Sequence, residues 1–190
     1  MVSLIDLWLP ILVSAVGVFV VSSLIHMLLQ FHRSDCSHIA DEESVLAAMR
    51  DAGVEPGNYM FPGCNSMKDM GNPEYIEKCK RGPVGYLTVL PNGMWNMGKA
   101  LGQWFVFSIL VSACTGYVAT FTLDVGTEFM PTFRLTGTVA FMAYALGVIP
   151  NSIWKGTAWS TTWRFVFDGL CYGLTTGAVF AWLWPSGPLG

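Results

Sequence analysis

The chain has 190 residues, of which 53% are apolar and only 12% charged, and its formal net charge is −3. That balance excludes an ordinary soluble domain and points to the bilayer. With so few basic residues, no polybasic surface argues for nucleic acid or for strong attraction to anionic lipid.

The first element predicted is a membrane span over residues 11–30. It is not a secretory leader, because no Lys or Arg precedes it and no small-residue cleavage site follows. Three further stretches, 101–123, 135–149 extended by its flanks, and 165–184, approach the roughly 20 apolar residues that a crossing needs. The expected fold is therefore all-α, an integral membrane four-helix bundle. It divides into a first transmembrane helix (1–30), a polar segment with short helices (31–99) and a three-helix transmembrane region (100–190).

The first span carries a histidine in an oily setting. Ser22, His26 and Gln30 recur every fourth residue and so form a polar stripe on one face. His26 could ligate a haem or a pigment, which makes it the candidate cofactor residue. The simpler expectation is a packing and hydrogen-bonding role with no bound cofactor.

In the polar segment Asp41 can cap a helix from Glu42 to Asp51 that closes at Gly53. Asn72-Pro73-Glu74 reads as a second helix start, with proline at the first helical position. Residues 55–65 read as loop, and 82–98 as a short extended piece and a turn. His32, Cys36, His38, Cys64 and Cys79 are metal-ligand types, but their spacing matches no closed zinc pattern, so no metal is assigned. No phosphate-cradling loop, nucleophile elbow or H-E-x-x-H occurs, and an enzyme is not expected.

The second span has Ser108, Ser112, Gly116 and Thr120 at intervals of four, and the fourth has Gly169, Gly173, Gly177 and Ala181. Small residues let helix backbones approach closely in lipid. These stripes predict tight packing within the chain or, alternatively, a docking face for partner helices. Asp168 is the only acidic residue well inside a span. Its candidate partners are Arg164, one turn away on its own helix, and His26 across the bundle; Arg164 is the first choice.

Basic residues fix the expected orientation. Arg33, Arg50, Lys68, Lys78, Lys80, Arg81 and Lys99 lie in 31–99, Lys155 and Arg164 flank the last connection, and Arg134 alone lies near the second. Positive charge inside then places both termini in the periplasm and the polar segment in the cytoplasm.

The runs "LWLPILVSAVGVFVVSSLIHMLL", "FHRSD", "KRGPVGYLTVLPNGMWNMGK" and "WLWP" resemble a family of bacterial four-span inner-membrane proteins to which no activity is attached. The resemblance implies a bacterial inner-membrane setting. On this reading the chain is a non-catalytic accessory subunit of a larger membrane complex. Membrane lipids and other subunits would be its partners, with reaction-centre and antenna polypeptides as the most specific expectation and a respiratory complex next. The alternatives are a small transporter or channel, or a haem- or pigment-binding protein using His26.

Overall fold

The computed structural model describes residues 2–66 and 68–186. Four helical stretches are long and apolar enough to cross a membrane: Ile5–Leu29, Met97–Thr120, Phe129–Lys155 and Trp159–Trp182. They are compatible with a multi-pass membrane protein. Each begins earlier than the apolar run alone suggests, because helices continue through the polar and aromatic residues that sit at a membrane surface.

Two compact units emerge. The first draws on Met1–Asp35, Asn96–Pro150 and Ala158–Gly190. It contains α1 (Trp8–Leu24), α4 (Met97–Thr120), α5 (Phe129–Ala145) and α7 (Trp159–Trp182). Helix α1 packs on α4 and α7, and the most extensive contact joins α5 to α7. One apolar cluster gathers Leu7, Ile11, Ala119, Phe180 and Trp184, and a second gathers Val18, Ile25, Val111, Ala140, Tyr144 and Tyr172. Between them the interior is filled by small hydroxyl residues, including Ser14, Ser108, Ser112, Thr115, Thr136 and Thr176. Some return their proton to their own helix, as Ser108 does to the Trp104 carbonyl at 3.0 Å and Thr136 to Thr132 at 2.7 Å.

The glycine stripe of α7 faces α5. A Cβ on Gly173 would meet the Gly137 carbonyl oxygen at 2.9 Å, and one on Gly177 the Phe133 carbonyl oxygen at 2.9 Å. This is backbone-to-backbone packing of the kind that substitutes for a hydrophobic force in lipid. On α4, Ser108, Ser112 and Gly116 are buried, but Thr120 turns half outward and Ala119 takes the buried place. A helix turns slightly more than a full circle in four residues, so a stripe of period four drifts off the seam.

The second unit, Cys36–Trp95 with Asn151–Thr157, holds α2 (Glu42–Asp51), β1 (Gly57–Phe61), α3 (Pro73–Arg81) and β2 (Gly85–Val89). Asp41 caps α2 by accepting from the Ser44 N–H, and Asn72 caps α3 by accepting from that of Glu74. Both helices start where their capping residues predict. The strands correct the all-α expectation and the loop reading of 55–65. β1 and β2 pair antiparallel with Gly57 opposite Val89 and Phe61 opposite Gly85, and Thr88 bonds Asn58 across the ladder at 2.9 Å. Five residues between proline and glycine neighbours show too little alternation to read alone. Their strand character comes from a partner beyond an intervening helix. The remaining α-helix, α6, spans Ile149–Lys155.

Candidate functional site

The first span does not end as an ordinary α-helix. After Leu24 the chain widens into a π-helical turn, Ile25–Leu29, and Gln30 adopts the left-handed conformation at φ +50°. A 3₁₀ turn, Phe31–Ser34, follows. A non-glycine residue there marks a specific constraint. Its effect is positional: six residues along a regular helix would put His26 and His32 on different faces, at 100° per residue. Here the imidazoles lie with centroids 4.4 Å apart.

Both rings meet α7. His32 Nε2 lies 2.9 Å from Asp168 Oδ2, and His26 Nε2 lies 3.6 Å from the same oxygen. On its other side His32 Nδ1 is 2.6 Å from Asp35 Oδ2, and the Arg164 guanidinium donates to Asp35 Oδ1. Asp168 is 2% exposed, while the His26 side chain is 43% exposed. The cluster therefore has a closed carboxylate at its centre and one open edge. Phe165 and Phe31 pack on the His32 ring at centroid distances of 5.0 and 4.5 Å.

Arg164 thus pairs with Asp35 rather than Asp168, against the expectation, because the 3₁₀ turn delivers a carboxylate to it. The polar stripe is also interrupted. Ser22 accepts the Trp104 indole N–H at 2.9 Å, but Gln30 leaves the face with its left-handed turn and accepts from Arg33. Asp35 is absent from the residues singled out in the sequence, and His32 stands there only as a metal-ligand type with no site assigned. The domain boundary drawn at residue 30 separated them from His26, although "FHRSD" directly after an oily span was the available signal.

Protonation follows from the partners. Burial raises the Asp35 carboxyl, but hydrogen bonds from His32, Arg164 and Thr161 outweigh it and hold the group below its ordinary value. An ionised Asp35 can only accept, so the His32 Nδ1–H donates to it, and Nε2 is the nitrogen left to face Asp168. That nitrogen and both Asp168 oxygens are buried without an aligned hydrogen bond, despite the 2.9 Å approach.

His26, His32 and Asp168 each offer one ligand atom, all within 4.8 Å of one another. The spacing-based reading assigned no metal; the three residues converge only because of the break in the first span. Searches against protein-family models, curated proteins and solved structures found no match. The family resemblance gains no support from them, and function must be argued from the site.

Proposed function

We propose that this chain is a multi-pass protein of the bacterial inner membrane that holds a divalent transition-metal ion between His26, His32 and Asp168. Its role is that of a non-catalytic accessory subunit in a larger membrane complex. The observation that carries the metal reading is the approach of His32 Nε2 to Asp168 Oδ2, 2.9 Å in a buried site. Two lone pairs at that distance repel, so a cation lies between them: the metal when it is bound, a proton on Nε2 when it is not. Metal–ligand bonds of about 2.0–2.2 Å put neighbouring ligand atoms about 2.9–3.6 Å apart at angles between 90° and tetrahedral. The separations of Asp168 Oδ2 from the two histidine nitrogens, 2.9 and 3.6 Å, fall within that range.

The outer partners fit the same reading. A metal-ligating histidine usually donates its second N–H to a carboxylate, which fixes the ring and raises its basicity. Asp35 does this for His32, and Arg164 holds Asp35 in turn. Two imidazoles and one carboxylate suit zinc, iron, cobalt or nickel better than calcium or magnesium.

The transport alternative calls for a polar site near the middle of the spans, whereas this cluster joins the end of the first span to the start of the last. The positive residues favour a cytoplasmic position for it, with both termini periplasmic. An energy-transducing assembly, photosynthetic or respiratory, is the partner this reading favours.

The test is metal titration of the purified, chelator-stripped protein in detergent, with cobalt(II) as the spectroscopic probe. Wild type should bind one equivalent, and His32→Ala and Asp168→Asn should each bind at least tenfold more weakly. No bound cobalt, or equal affinity in the variants, would overturn the metal reading. A visible haem or pigment band in the native protein that His26→Leu abolishes would replace it with the cofactor alternative.

A further inference from the structure

We propose that the seam between α5 and α7 binds one anionic phospholipid, with its phosphate at Arg134 and an acyl chain in the groove beyond. This site is separate from the metal cluster and does not rest on it. Arg134 is the sixth residue of the span Phe129–Lys155, and its side chain is exposed. Among the described residues no carboxylate lies within ion-pair distance of it. A cation in a spanning helix usually faces a partner or reaches for the headgroups.

Its depth suits a headgroup. The span is 27 residues long, about 40 Å at 1.5 Å per residue, against a hydrocarbon core of about 30 Å. Arg134 lies about 7 Å from the start of that helix, where hydrocarbon gives way to phosphate. Phe133 packs against Gly177, nine residues from Asp168 on α7, so Arg134 lies more than 10 Å along the bundle from the cluster.

A groove of about 220 Å³ runs from Arg134 along the seam. Gly137 and Gly173 lie where the two helices touch and supply no side chain to fill it. Phe141, Leu170 and Leu174 line it further on, so the lining beyond the guanidinium is apolar. From Arg134 to Phe141 the helix advances about 10 Å toward the middle of the span. A single charge at headgroup depth with an apolar trough leading inward matches a phospholipid end to end. Arginine also matches phosphate in shape, since its planar fork can donate two parallel hydrogen bonds.

The full-length protein in detergent, mixed with equal amounts of phosphatidylglycerol and phosphatidylethanolamine, can be read by native mass spectrometry. Wild type should retain one phosphatidylglycerol in about fivefold preference, the scale set by one basic residue beside an anionic headgroup. Arg134→Gln should lose that preference, and Arg134→Lys should keep part of it. Thr138→Phe, which crowds the groove one turn from Arg134, should reduce retention of both lipids. These exposed positions lie outside the helix–helix contact, and an unchanged thermal unfolding curve by circular dichroism would verify that each variant is folded. Equal retention of both lipids by wild type, or an undiminished preference in Arg134→Gln, would overturn the proposal.

Discussion

Gly169 is the sharpest place to test the packing that positions the cluster. It neighbours Asp168, and a Cβ added there would lie 2.7 Å from the Ala145 Cβ and 2.9 Å from the Ala145 backbone. Carbon atoms at their optimum stand about 3.5–4.0 Å apart, so Gly169→Ala requires α5 and α7 to part by roughly 0.8 Å or more. Because Gly173 and Gly177 meet the same helix, that displacement loosens their contacts as well, and gaps of this size forfeit about a quarter to a half of each contact. Overpacking typically costs about 1–3 kcal/mol, partly offset by about 1 kcal/mol from replacing glycine with alanine in a helix. The net expectation is a loss of up to about 2 kcal/mol, or up to roughly 8 °C in Tm for a chain of this size, where the control gains stability. Gly102→Ala on α4 is the control, since its Cβ would meet open space and should raise Tm slightly. Thermal unfolding followed by circular dichroism in one detergent separates them. A Gly169→Ala protein as stable as Gly102→Ala would refute the close seam.

The other expectations concern the cluster and the orientation. Asp35→Asn should weaken cobalt binding by about 10–100-fold while keeping all three ligands, measured by the same titration. In the metal-free protein His32→Leu or Asp168→Leu should each cost about 1–3 kcal/mol by stranding the other group; the double variant should cost less than the sum, and additivity would reject their coupling. Asp35 is held below its ordinary value of 3.8, so the unfolded chain takes the proton first. The stability it contributes is complete above about pH 4 and fades as pH falls further, a fading that Asp35→Asn should remove from the Tm–pH curve. Reporter fusions at the N-terminus and after Trp182 should both report the periplasm, and one within α2 the cytoplasm; a cytoplasmic signal after Trp182 would reverse the orientation. A fusion at Gly190, the end of the chain, lies outside the described residues.

The four spans and both capped helices were legible because each rests on local signals: apolar run length, Asp41 and Asn72 as caps, Gly53 as a stop. Half of the hairpin was legible, since 85–89 falls in the extended piece read from the sequence, but Tyr59 and Phe61 become strand residues only when it pairs with them. At the site, Asp168 was conspicuous as a buried acid and His26 was among its expected partners, yet the first choice, Arg164, went to Asp35. Proximity in sequence favoured Arg164. The π turn and the left-handed Gln30 decide the matter, and neither leaves a pattern in hydropathy. His32 looked like the first residue of a solvated segment for the same reason.

The broken end of the first span also sets a rule for recognising this site elsewhere. The histidines stand six positions apart and Asp35 three positions further on, with Arg164 and Asp168 four apart on the last helix. A distant relative could exchange almost every apolar residue and keep the constellation, provided that H-x5-H-x2-D and R-x3-D survive in those two places. One residue inserted or deleted between His26 and His32 would rotate the second ring away while leaving the hydropathy profile untouched. Register at a helix end, more than overall similarity, is therefore the feature by which kin of this protein could be told from look-alikes.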